Sequence, residues 1–121
     1  MFEIEIYEDR HGRSDIKDYL RDLRSKAGKD KDARARLTKI VAFIDILEEK
    51  GTVIGLPFVR QIKSEIWELR PASIRVLFSL IGPNKYLLLH AFRKTTRKTP
   101  AREIERAEKE LADYKWRRDS R

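Results

Sequence analysis

The chain has 121 residues, of which 40% are apolar and 40% are charged, and it has no cysteine. This length favours a single domain over residues 1–121, and the lack of cysteine excludes disulfides, thiolate metal sites and a cysteine nucleophile. Two histidines do not make a zinc site of the usual kind. Since neither a membrane span nor a signal peptide is evident, we expect a cytoplasmic protein without a metal or other cofactor.

The formal net charge of +8 lies in the second half of the chain. Residues 1–58 contain 12 basic and 12 acidic side chains, whereas residues 59–121 contain 16 and 8. Basic charge concentrated in one part of a small domain predicts a polyanionic partner, which can be a nucleic acid, the ribosome, an anionic membrane or an acidic protein. The alternative is a soluble surface that is simply rich in lysine and arginine.

The first half of the chain predicts one strand and two helices. Residues 2–7 alternate between apolar and polar side chains, which is typical of a strand with one buried face. Apolar residues at helical spacing then predict one helix from Asp15 to Gly28 and a longer one ending near Lys50. A short polar link joins them, so we expect a helical hairpin.

The second half predicts three strands, at about 61–70, 74–81 and 85–92, joined by turns short enough for antiparallel pairing. A last helix follows, with Thr99 expected as its cap and Pro100 in its first turn. The order β-α-α-β-β-β-α indicates an α+β domain with a mainly antiparallel four-stranded sheet, an N-terminal helical hairpin and a C-terminal helix. The last two strands are apolar on both faces, so we expect helices on one side and a partner on the other.

Basic residues gather at the ends of the predicted strands. Alternation places Arg70 and Arg75 away from the apolar faces of their strands, and hairpin pairing brings them to one side of the sheet with Lys94. His90 shares that face with Lys94 if the strand continues far enough. The alternative is that Arg70 or Arg75 pairs with a nearby acidic residue such as Glu68.

Such a cluster suits the chemistry of phosphates. The chain lacks the glycine-rich phosphate loop, the dinucleotide-binding fingerprint, the nucleophile elbow and the HExxH zinc motif. Cleavage of RNA by its own 2′-hydroxyl needs no metal, but it needs a proton acceptor, a proton donor and positive charge against the phosphate. Arginines supply the charge, and Lys94 or His90 can move the protons. A hydrogen-bonded structural role is the more common one for a histidine on a strand.

Three runs of sequence resemble the RelE/ParE toxin superfamily, and most closely its phage-derived HigB-like branch. They are IWELRP at 66–71, RVLF at 75–78 and LLHAFRKTTRKTP at 88–100. The resemblance extends over nearly the whole chain and implies a RelE-like fold. It also implies the toxin of a type II toxin–antitoxin pair, a ribosome-dependent mRNA endoribonuclease that inhibits translation. The implied partners are messenger RNA, the ribosome and a HigA-like helix-turn-helix antitoxin, with no membrane and with DNA contacted through the antitoxin.

By position, Arg75 and Lys94 match two cations of RelE-type enzymes. The lysine pair of RelE falls on Ile66 and Glu68, and its catalytic tyrosine falls near Pro100. Because of these departures, the resemblance does not identify the general base of the reaction. Two alternative functions also stay possible: a ParE-like gyrase inhibitor and a regulatory nucleic-acid-binding protein. The candidate catalytic residues are Arg70, Arg75, His90 and Lys94, and the candidate RNA-binding residues are Lys63, Arg93, Arg97 and Lys98.

Overall fold

A five-stranded sheet lies at the centre of the structure, a computed structural model that describes residues 1–120. In chain order the elements are β1 (Glu3–Ile6), α1 (Asp15–Lys26), α2 (Lys31–Lys50), β2 (Val59–Lys63), β3 (Ile66–Leu69), β4 (Ile74–Leu80), β5 (Lys85–Arg93) and α3 (Ala101–Asp119). A short 3-10 helix (Gly51–Ile54) follows α2. None of the helices within these residues is long and apolar enough to cross a bilayer.

The strands lie in the order β1-β5-β4-β3-β2. The first strand pairs in parallel with β5, and every other pair is antiparallel. The predicted α+β class, the helical hairpin and the mainly antiparallel sheet are therefore confirmed.

The expected number of four strands is wrong, because residues 61–70 do not form one strand. They contribute to a hairpin of β2 and β3, which turns at Ser64 and Glu65. Ser64 adopts a positive φ of 51° there, a conformation more often taken by glycine or asparagine. Neither glycine nor proline marks this turn, so the sequence pattern predicts one continuous strand.

Helices cover both faces of the sheet. Side chains of α1 and α2, among them Leu20 and Phe43, pack against one face, where Phe78 is fully buried. Ala107 and Leu111 of α3 pack against the other face. The expectation that a partner covers this second face is wrong, because α3 occupies it.

A bulge in β5 sets which side chains point towards α3. Leu77 pairs with His90 and Phe78 pairs with Leu88, so that Leu89 has no partner on β4. Leu89 packs in the α3-side core, and His90 contacts carboxylates of α3. The bulge therefore places two consecutive residues on the same face, which simple alternation does not predict.

The start of α3 differs from the expected cap. Pro100 is the N-cap residue, without a side-chain hydrogen bond, and the helix begins at Ala101. The Thr99 hydroxyl instead donates to Oε1 of Glu68 at 2.7 Å. A buried carboxylate needs donors more than an exposed helix end does, since water can satisfy the latter.

Gly51, at the end of α2, provides a test of the packing between α2 and the first strand. Its φ is +71°, and an added Cβ would lie 2.6 Å from Cε2 of Phe2. Gly51→Ala should lower the free energy of unfolding by about 2 kcal/mol in chemical denaturation, through backbone strain and steric overlap. Gly28→Ala is the control, because its Cβ would meet no atom within 4 Å; equal effects would contradict this packing.

Candidate active site

Four cationic side chains gather around one carboxylate at one end of the sheet. Glu68 of β3 pairs across the sheet with Arg60 of β2, so their side chains share the face covered by α3. Arg70 comes two residues later and faces the same side. Arg75 near the start of β4 and Lys94 just after β5 complete the group. We call Arg60, Arg70, Arg75 and Lys94 the basic cluster.

The Glu68 carboxylate is 1% exposed and fully engaged. Its Oε2 accepts from Arg70 Nη1 at 2.8 Å and from Arg60 Nη2 at 3.2 Å. Its Oε1 accepts from the hydroxyl of Thr99 and lies 3.9 Å from Nε of Arg75. Burial of an ionised carboxylate is unfavourable unless such partners surround it. Glu68 therefore fixes the positions of the arginines.

Arg75 lies in the wall of the site rather than on its surface. It is 6% exposed, and its Nη1 donates to the carbonyls of Ala72 at 2.7 Å and Ile74 at 2.9 Å. Its Nε has no hydrogen-bond partner within residues 1–120. Burial, followed by repulsion from Arg70, lowers the pKa of Arg75. The buried guanidinium group of Arg75 still adds to the positive electrostatic potential of the site.

Lys94 is the half-buried amine of the cluster. Partial burial lowers its pKa, and the neighbouring charges of Arg75 and Arg70 lower it further. Its backbone N–H donates to the carbonyl of Ser73 at 2.7 Å, so the β4–β5 ladder continues to this position. The amine therefore loses its proton at a lower pH than an ordinary lysine does.

His90 is fully buried and contacts two carboxylates of α3. Its Nδ1 lies 2.5 Å from Oε1 of Glu110, and its Nε2 lies 3.1 Å from Oε1 of Glu103. A neutral imidazole has one N–H, so two such bonds require a second proton on the ring or on a carboxyl group. In this arrangement His90 joins β5 to α3 and is out of contact with solvent.

The remaining candidates lie outside the cluster. Lys63 pairs with Glu108 of α3 at 3.4 Å, and Arg97 and Lys98 are exposed in the loop before α3. Arg93 lines a cavity on the opposite face of the sheet. The structure thus brings together Arg70, Arg75 and Lys94 among the eight predicted residues.

Sequence reasoning missed Arg60 and Thr99. The sequence does not predict the β2–β3 hairpin. It therefore does not predict Arg60 as a site residue, because the pairing of Arg60 with Glu68 requires β2 to be a separate strand. The sequence pattern predicts Thr99 as the cap of α3 instead of as a partner of Glu68. A signal was present in the alternation of β3, where a glutamate occupies a position of an otherwise apolar strand, since a buried carboxylate implies cationic partners.

Comparisons with known proteins point to one family. The model of the family described as phage-derived protein Gp49-like matches residues 18–112. No curated protein matches the sequence significantly. Among solved structures, a chain of the YoeB–YefM complex from Staphylococcus aureus is similar, with a TM-score of 0.48 and 14% identity, over 75% of this chain and 94% of that one.

Removal of the central charge tests the organisation of the site. Glu68→Gln leaves three guanidinium groups without their shared carboxylate, so the free energy of unfolding should fall by about 3 kcal/mol. Chemical denaturation of the purified variant measures this. Glu65→Gln is the matched control, because Glu65 pairs with Lys115 at the surface and its loss should change stability by about 0.5 kcal/mol or less. Equal stability of the two variants would show that Glu68 does not organise the arginines.

Proposed function

The chain belongs to the Gp49-like family of phage-derived proteins, and we propose that it is the toxin of a type II toxin–antitoxin pair that cleaves messenger RNA on the ribosome. The observation that carries the proposal is the basic cluster: three guanidinium groups and a lysine of lowered pKa at one end of the sheet. The resemblance of the surrounding sequence to RelE/ParE toxins supports the same reaction.

The exposed parts of the cluster are suited to hold a phosphate. The side chains of Arg60 and Arg70 are 40% and 20% exposed, whereas that of Arg75 is 8% exposed. Arg60 and Arg70 can therefore turn free N–H groups to a phosphodiester while they keep their contacts with Glu68. The buried guanidinium group of Arg75 adds positive charge beside the site. Together with the partial burial of the amine, it lowers the pKa of Lys94.

In the proposed reaction the 2′-oxygen of the substrate attacks the adjacent phosphorus, and the P–O5′ bond breaks. The neutral amine of Lys94 accepts the proton of the 2′-hydroxyl. Arg60 and Arg70 stabilise the negative charge that develops on the phosphate oxygens. The leaving 5′ oxygen takes a proton from solvent, and the products end in a 2′,3′-cyclic phosphate and a 5′-hydroxyl. Because the nucleophile belongs to ribose, the reaction is specific for RNA.

The other candidate residues take supporting roles in this proposal. His90 positions α3 against β5, since both of its ring nitrogens are occupied. Arg97 and Lys98 extend the positive surface around the start of α3, and Lys63 lies farther along this helix beside Glu108; all three contact the RNA backbone or the ribosome. The proposed inhibitor is a HigA-like helix-turn-helix antitoxin in the same cytoplasm.

Induced expression in a bacterial host tests the proposed function. Wild-type protein should arrest translation, and mapping of new RNA ends should show cuts within messages. Arg70→Ala should lose the cuts, whereas Lys109→Ala, an exposed lysine of α3, should retain them. Arrest with intact messages and an induced DNA-damage response would replace the proposal with gyrase inhibition, and RNA binding without toxicity would replace it with a regulatory role.

The pH dependence of cleavage tests the role of Lys94. An amine accepts a proton only when it is neutral, so the single-turnover rate on programmed ribosomes should rise with pH and level off above the lowered Lys94 pKa. Lys94→Arg stays protonated and should reduce the rate by about 10²-fold or more and flatten this rise. Lys109→Arg is the control. An unchanged rate or profile in Lys94→Arg would rule out Lys94 as the proton acceptor.

A further inference from the structure

A cavity of about 380 Å³ lies between the helical hairpin and the ends of β4 and β5. It opens on the face of the sheet opposite to the basic cluster. Tyr19 of α1 lines it, together with Ile74 of β4 and Ala91 of β5. None of these residues belongs to the site described above.

Two arginines line the same cavity from different elements, Arg36 from α2 and Arg93 from β5. Neither side chain takes part in an ion pair or hydrogen bond found within residues 1–120. Arg36 is nevertheless half-buried. The acidic residue of the lining, Asp15, is paired with Arg106, so it does not neutralise them. Two guanidinium groups that line one cavity without a partner indicate an anion site, and a phosphate can accept hydrogen bonds from both.

The other walls suit a flat apolar ring. Tyr19 presents aromatic surface, and Ala91 and Ile74 contribute aliphatic surface, whereas the ring of Phe92 packs on the opposite face of the sheet beside His90. Nucleobases bind to single-strand sites mainly by stacking on aromatic side chains. A cavity with one aromatic ring, aliphatic walls and two unpaired arginines therefore combines the two binding elements of a nucleotide.

The cavity adjoins the basic cluster through the backbone. Arg93 lines the cavity, and the next residue, Lys94, belongs to the cluster. Ile74 also lines the cavity, and the next residue, Arg75, belongs to the cluster. Consecutive Cα atoms are about 3.8 Å apart, and their side chains point to opposite faces of a sheet. A strand of RNA that passes over this end of the sheet can therefore contact both sites with neighbouring nucleotides.

We propose that the cavity binds one nucleotide of the RNA next to the cleaved phosphate, with its base against Tyr19 and Ile74 and its phosphate against Arg36 and Arg93. This inference rests on the proposed function. It assigns the cavity a role in choosing where a message is cut, because a cavity of this volume binds a base according to its size and edges.

Binding of uncleavable RNA to the purified protein tests the inference. The probe is a fluorescent oligoribonucleotide in which every 2′-hydroxyl is methylated, and the readout is its dissociation constant. Arg36→Gln and Arg93→Gln should each weaken binding about tenfold. Each should also lower the slope of log affinity against log salt concentration by about one. Arg93 is exposed, so its replacement carries little risk to folding. Arg34→Gln on the same helix is the control, because Arg34 donates to the carbonyl of Ala27 instead. Wild-type affinity in both test variants would overturn the inference.

Four further outcomes separate this inference from its alternatives and from the proposed function. Cleavage by Arg36→Gln on programmed ribosomes should persist with a changed distribution of cut sites; an unchanged distribution would overturn the inference while the function stands. Equal affinity for AMP and for the oligomer would assign the cavity to a free nucleotide instead. Loss of antitoxin binding in Arg36→Gln with RNA affinity unchanged would assign it to an acidic segment of the antitoxin. If the wild-type protein binds RNA but does not cleave it, and if Arg36→Gln weakens that binding, the nucleotide site in the cavity is supported and the proposed ribonuclease activity is rejected.

Discussion

One buried carboxylate organises the positive end of this molecule. Glu68 is 1% exposed, and its two oxygens contact Arg60, Arg70 and Thr99. Without it, guanidinium groups on neighbouring strands would repel one another and turn outward to solvent. With it, they remain close together and retain unused N–H groups. In the proposed reaction, the carboxylate preorganises positive charge before a substrate phosphate arrives, and fixed charge of this kind stabilises a transition state without rearrangement.

The rest of the fold supports this arrangement. The hairpin of β2 and β3 brings Arg60 opposite Glu68. The bulge in β5 turns His90 towards α3, where Glu103 and Glu110 hold it. This anchors α3 on the sheet and brings Thr99, just before the helix, to the carboxylate. Both faces of the sheet are covered by helices, so the ends of the strands are where a large ligand can reach the basic side chains.

The sequence predicted the order of the long elements because their periodicity is regular. It also predicted that Arg70, Arg75 and Lys94 lie together, since alternation and short turns suffice for that conclusion. It did not predict the turn at Ser64, because a serine at positive φ leaves no compositional mark. The buried positions of Arg75 and His90 depend on α3 and on the bulge, which are tertiary features. The sequence does not single out Arg36, because the cavity that it lines forms only when α2 packs near the end of β5.

The central claim is that the basic cluster holds the phosphate at which RNA is cut. A structure of the protein on a ribosome with a message methylated at its 2′-hydroxyl tests this most directly. The account predicts that one phosphate lies within hydrogen-bond distance of Arg60 and Arg70 and that its 2′-oxygen lies nearest to Nζ of Lys94. A message that passes the cluster without such a contact, or a 2′-oxygen that faces another group, would contradict it.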